Sequence, residues 1–195
     1  MGSPLEGLSA MNTLWARFRR ETVWVVSESP SAPQDAVGLL RRVDPPRLPR
    51  RTEIHWPAVE SRLGTALPAD YRRLIDDRGP GVVADVVVHG PSSPGAALDL
   101  VNWLHGIERM VSALRAITYD RVPPPFHPEP GGILPWGLLH DGRIAGWAVT
   151  SDDPDAWPVV VLNSELDGFT RYETSATEFL LARVPGPEVR ELTIG

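Results

Sequence analysis

Leu134-Pro135-Trp136-Gly137-Leu138-Leu139, His140-Asp141-Gly142 and Arg143-Ile144-Ala145-Gly146-Trp147-Ala148-Val149-Thr150 follow one another without a gap. Two apolar, tryptophan-bearing runs flank a short break that ends in glycine, which tolerates a positive φ, so the stretch predicts two strands joined by a hairpin. Asp152-Asp153-Pro154-Asp155 makes the next turn, Pro158 to Leu162 the next strand, and Asp167-Gly168 the turn before a last strand over Phe169 to Glu173. The four runs form an antiparallel meander. Ser175 and Glu178 then stand at capping-box spacing before Phe179-Leu180-Leu181, which predicts a closing helix.

Working back towards the N-terminus, the pattern turns helical. Leu100, Trp103, Leu104, Ile107, Val111 and Leu114 recur at steps of three and four, predicting the longest helix over Ala97 to Ile117. Val82 to Val88 reads as one strand, and Pro68 to Asp77 as a short helix stopped by Gly79. Pro57 suits the first turn of another helix and Gly64 the position past its end. Helices, then an antiparallel sheet, then one covering helix argue an α+β fold. Asp44-Pro45-Pro46-Arg47-Leu48-Pro49-Arg50-Arg51 reads as a stiff, extended linker. The expected organisation is an N-terminal extension and linker over 1–51, an α+β domain over 52–185 and a tail over 186–195. Within the extension, helical spacing at Leu14, Trp15 and Phe18, a β-rich run over Thr22 to Val26 and a short helix over Ala36 to Val43 stand out, and Met11 is a plausible alternative start.

The chain of 195 residues has no cysteine, which excludes disulfides, cysteine-ligated metals and a cysteine nucleophile. No apolar run approaches the ~20 residues of a membrane span, and no secretory signal pattern opens the chain, so a cytoplasmic protein is expected. All 19 basic residues are arginine, and the net charge is −6. Residues 52–195 carry 11 arginines against 20 acids, a balance of −9. Such a body is poorly suited to nucleic acid and well suited to a basic protein partner. The basic cluster Arg41, Arg42, Arg47, Arg50 and Arg51 lacks interleaved aromatics and suits an internal match to that acidic body. His55, His89, His105, His127 and His140 are scattered, and His127 and Glu129 have no second cluster to complete a metal site. Nucleophile elbows, phosphate-cradling glycine loops and dinucleotide fingerprints are absent, so neither enzyme activity nor a cofactor is expected.

Four stretches together resemble the SUKH superfamily, in particular its bacterial Smi/Knr-like branch. They are Val59-Glu60-Ser61-Arg62-Leu63-Gly64 followed by Leu67-Pro68-Ala69-Asp70-Tyr71-Arg72-Arg73-Leu74; Glu129-Pro130-Gly131-Gly132-Ile133-Leu134-Pro135-Trp136-Gly137; Asp153-Pro154-Asp155-Ala156-Trp157-Pro158-Val159-Val160-Val161; and Ser175-Ala176-Thr177-Glu178-Phe179-Leu180. The resemblance covers roughly residues 52–185. It departs from the family at Arg143, where an acidic residue is usual. It implies helices around a twisted antiparallel sheet, and a protein-binding module without shared catalytic residues. Many members neutralise polymorphic toxins; others bind signalling or cell-wall-related proteins.

The expectation is therefore a non-enzymatic immunity protein that meets a basic toxin through an acidic, aromatic-bearing face. The alternative is a regulatory adaptor for an endogenous protein. Asp152, Asp153 and Asp155, beside Trp157, are the candidate partner-binding turn, joined by Asp141, Glu165 and Asp167 on other loops of the meander. Tryptophan is a common anchor in protein interfaces, and acids receive a partner's Arg or Lys. The competing reading makes these acids solvated turn formers and Trp157 a core residue.

Overall fold

A computed structural model describes residues 36–44, 53–91, 97–117 and 123–184. Trp15, Phe18, the run at Thr22 to Val26, Arg47, Arg50, Arg51 and the tail expected over 186–195 lie outside the described residues. Among the described residues three helices come first: α1 (Ala36–Val43), α2 (Trp56–Leu63) and α3 (Ala69–Arg78). A hairpin of β1 (Gly81–Val83) and β2 (Val86–Val88) precedes the long helix α4 (Leu100–Ile117). Strands β3 (Ile133–Leu139), β4 (Ile144–Ala148), β5 (Val159–Leu162) and β6 (Phe169–Tyr172) follow, then α5 (Ala176–Leu181). All six strands form one antiparallel sheet in the order of the chain. The fold is α+β.

Both faces of the sheet are covered, rather than one by a single closing helix. Ala145 and Trp147 of β4 and Val159 and Val161 of β5 point into a core shared with Leu40 of α1, Tyr71, Leu74 and Ile75 of α3, and Phe179 and Leu180 of α5. Ile144, Ala148, Val160 and Leu162 point the other way, towards Ile107 and Val111 of α4. A strand buried on both faces needs apolar residues at every position, which is why Val159 to Leu162 shows no alternation. Pro135 is accommodated inside β3 because β2 pairs only with Gly137 to Leu139, so Pro135 has a neighbouring strand on one side alone, where it pairs with Gly146; the register shift falls on the next residue, Trp136.

Three sequence expectations change. The single strand expected over Val82 to Val88 is a hairpin, turned at Ala84 with φ 53°. No glycine or asparagine announces that turn. Its Asp85 is held instead by Arg183, 98 residues away, whose Nε donates to Oδ1 at 2.6 Å. The long helix begins at Leu100 rather than Ala97, because the buried Asp99 caps it, accepting from the Asn102 N–H at 2.9 Å. In the β5–β6 turn the left-handed residue is Leu166 (φ 57°), not a glycine. Its side chain is buried in the α4-side core, and that burial offsets the ~1–2 kcal/mol backbone cost.

The proline-rich stretch expected as a domain boundary does not divide the packed body. Leu40, N-terminal to it, is fully buried in the larger core. Arg78 donates to the Asp44 carbonyl at 3.0 Å, and Arg41 pairs with Asp77 at 3.1 Å. That second contact is an internal match of the kind expected for the basic cluster.

Candidate functional site

Antiparallel topology sorts the seven candidate residues into two groups. Asp141 in the β3–β4 turn and Glu165 and Asp167 in the β5–β6 turn lie at one end of the sheet. Asp152, Asp153, Asp155 and Trp157 lie in the β4–β5 connection at the opposite end. The five residues of β4 separate the ends by ~16 Å at about 3.3 Å per residue. The acids therefore form two patches.

Within the β4–β5 connection each acid has a different task. Asp153 accepts from the Asp155 N–H at 3.1 Å and caps the 3₁₀ turn Pro154–Ala156. Asp155 reaches across the molecule and accepts from the Ala69 N–H at 2.6 Å. Pro68 supplies no side-chain cap to α3, so Asp155 satisfies a donor of that helix start from 86 residues away. Trp157 is 4 % exposed, part of the larger core, with Nε1 donating to the Ser151 carbonyl at 2.7 Å. It does not present its ring to the outside. Asp152 is exposed, and its side chain makes no hydrogen bond or ion pair with the described residues.

The other patch is more heavily neutralised. Asp141 accepts from Arg143 Nε at 2.8 Å and pairs with its guanidinium at 2.7 Å, so the departure at Arg143 cancels a neighbouring acid. Asp167 accepts from Asn163 Nδ2 at 2.7 Å within its turn. Glu165 is exposed and takes only the Ser164 hydroxyl, at 2.9 Å. Asp85 lies at the same end, clamped by Arg183, with His140 Nδ1 at 3.3 Å from its carboxylate. The Arg183 hydrogen bonds hold the Asp85 carboxyl below the usual range against the opposing effect of burial. Even so, residues 144–170 contain five acids and no arginine. Within that run, Asp152 and Glu165 are the exposed acids that neither accept from a backbone N–H nor pair with a cation among the described residues.

The stretches that carry the family resemblance do structural work. Tyr71 is fully buried against Trp147 (5.0 Å between centroids) and Trp136 (6.4 Å), and its hydroxyl donates to the His89 carbonyl. Burial raises its pKa, so it remains a donor. Asp70, beside it, accepts from both the Thr177 N–H and hydroxyl at 2.9 Å, tying α3 to the first turn of α5. The expected capping box is formed, with the Ser175 N–H donating to Glu178 at 2.9 Å. Asp155→Ala is expected to cost about 1 kcal/mol, the value of a helix cap, whereas Asp152→Ala leaves stability unchanged. Urea denaturation of the two variants checks the difference.

Sequence reasoning missed one concave feature, a groove between α4, the end of α2 and the loop at Phe126 to Glu129. Its residues come from three separated stretches. The only local signal was the proline–glycine density at 123–132. Among the described residues no group of three or more His, Asp or Glu is placed to hold a metal ion, and no helix is long and apolar enough to cross a membrane. No protein-family model, curated protein or solved structure matches the chain.

Proposed function

We propose that the chain is a non-enzymatic protein-binding module of the toxin-immunity kind, which engages a basic toxin domain through its acidic strand connections. The observation that carries this reading is the cation-free run 144–170, from which Asp152 and Glu165 project without counter-ions among the described residues. Acids placed on a pre-packed sheet need no ordering to meet a basic surface, and unpaired charge of one sign speeds encounter. The resemblance to the SUKH superfamily points to the same class.

The test uses charge reversal at the two positions that the fold does not need. Co-expression with the cognate toxin is expected to rescue growth, and Asp152→Arg with Glu165→Arg to abolish the rescue without lowering stability. Rescue that survives both reversals would count against these patches. Recovery of an endogenous, non-toxin protein from the native cell, equally by parent and variant, would favour the regulatory adaptor.

A further inference from the structure

The groove beside α4 encloses about 440 Å³, within the range of ligand-binding clefts. Val101, Leu104, Glu108, Ser112 and Arg115 lie along its α4 wall. They recur at steps of three and four over four turns, so the wall is ~20 Å long at 1.5 Å per residue. Arg62 and Leu63 of α2 stand opposite, with Phe126 and Leu134 adding apolar surface.

Two properties distinguish it from a surface furrow. The walls are pinned before anything binds. His127 Nε2 lies 2.9 Å from the Leu63 carbonyl, tying the loop to α2. Arg115 donates to Glu129 at 2.8 Å, tying the loop to α4. The loop itself is closed by the Gly132 N–H, which donates to the Glu129 carbonyl at 2.8 Å. A preformed cleft avoids the ordering cost that otherwise weakens binding.

The second property is charge. Arg115 and Glu129 neutralise each other, and His127 is engaged by Leu63. The Arg62 and Glu108 side chains are exposed and have no hydrogen bond or ion pair with the described residues. One open cation and one open anion thus border the same apolar lining. A simple anion gains from Arg62 and is repelled by Glu108; a simple cation meets the reverse. The complement is a chain that carries both an acid and a base beside apolar groups. A trough of ~20 Å seats about six residues of extended polypeptide at about 3.3 Å each.

We infer that this groove binds an extended peptide segment of a partner protein, with an acidic side chain on Arg62, a basic one on Glu108 and apolar side chains on the rest of the lining. The inference deepens the protein-binding reading and rests on it, adding a contact that the acidic connections do not supply. It is tested without any toxin, by fluorescence anisotropy of the full chain with four labelled hexapeptides. Two carry mixed ends, Glu-Leu-Ala-Ala-Leu-Arg and Arg-Leu-Ala-Ala-Leu-Glu; two carry Glu at both ends or Arg at both ends.

One mixed peptide is expected to bind at least about ten-fold tighter than either same-sign peptide, the effect of one well-placed charge pair. Arg62→Gln removes its advantage over the Arg-ended peptide, and Glu108→Gln its advantage over the Glu-ended one. The double variant Arg62→Glu, Glu108→Arg exchanges the preference between the two mixed orders, which a folding defect would not do. Equal affinities across the panel, absence of binding at millimolar peptide, or a preference that survives both single variants would overturn the groove assignment. Those results leave growth rescue by the parent untouched. Conversely, failed rescue with intact peptide selectivity removes the toxin reading alone.

Discussion

Gly132→Ala lowers the melting temperature by about 6–12 °C, the equivalent of about 3 kcal/mol in a chain of this size. A Cβ at that position would stand 2.5 Å from the His127 nitrogen and the Phe126 carbonyl carbon, and 2.7 Å from the Glu129 oxygen. All three are backbone atoms, so no side chain can swing away. Relief requires the loop to open, which breaks the bonds from Gly132 to Glu129 (2.8 Å) and from His127 to Ile133 (2.9 Å). Gly64→Ala is the control. Gly64 needs a left-handed φ of 73°, but its Cβ would meet open space, so the cost is only ~1–2 kcal/mol. Thermal denaturation of the two variants reads the difference; equal melting temperatures would refute the crowding argument. Because this loop also forms a wall of the groove, Gly132→Ala should weaken peptide binding below its melting temperature, and Gly64→Ala should not.

Acidification from pH 7.5 to 4.5 costs about 2–3 kcal/mol of stability through His89 alone. Its ring is 4 % exposed and lies flat on Trp103, 3.9 Å between centroids and 4° between planes. Burial lowers its pKa from 6.5 to about 4, and a backbone hydrogen bond with Trp136 offsets this only partly. As pH falls below ~6.5 the unfolded imidazole takes up a proton while the folded one does not, so the unfolded state binds more protons. Stability therefore falls with pH across that window and levels off below about 4, where both states are charged. Asp85 acts in the same direction at lower pH. Its carboxyl is held down by Arg183, so its contribution is present at neutral pH and is lost when acid protonates the folded carboxylate. His89→Phe keeps the stacked ring without a titrating group, and its urea midpoint is expected to be nearly flat between pH 7.5 and 4.5. A parental slope retained in that variant would show that the acid sensitivity lies elsewhere.

Much of the architecture was legible from local chemistry. Gly64 and Gly79 end α2 and α3, Ser175 and Glu178 start α5, and the His140-Asp141-Gly142 break joins β3 to β4, as their residue types require. Each feature depends on neighbours within a few positions, which is the range that propensity and capping rules cover. The α+β class followed from the order of those elements.

The candidate site was less legible, because its parts answer to residues far away in the chain. Asp155 looked like one of three equivalent acids, yet it caps a helix that starts 86 residues earlier. Trp157 looked like an interface anchor, yet it is buried in the larger core. The acids of one meander were expected together, and antiparallel connection sends alternate turns to opposite ends. The Ala84-Asp85 turn was hidden because its stabilising partner is Arg183. Composition and periodicity thus settle most of the helices, the four-strand meander and the charge the chain carries. Which acids remain free, which aromatics are enclosed and where a groove opens depend on contacts between distant segments, since burial and pairing belong to the packed chain as a whole.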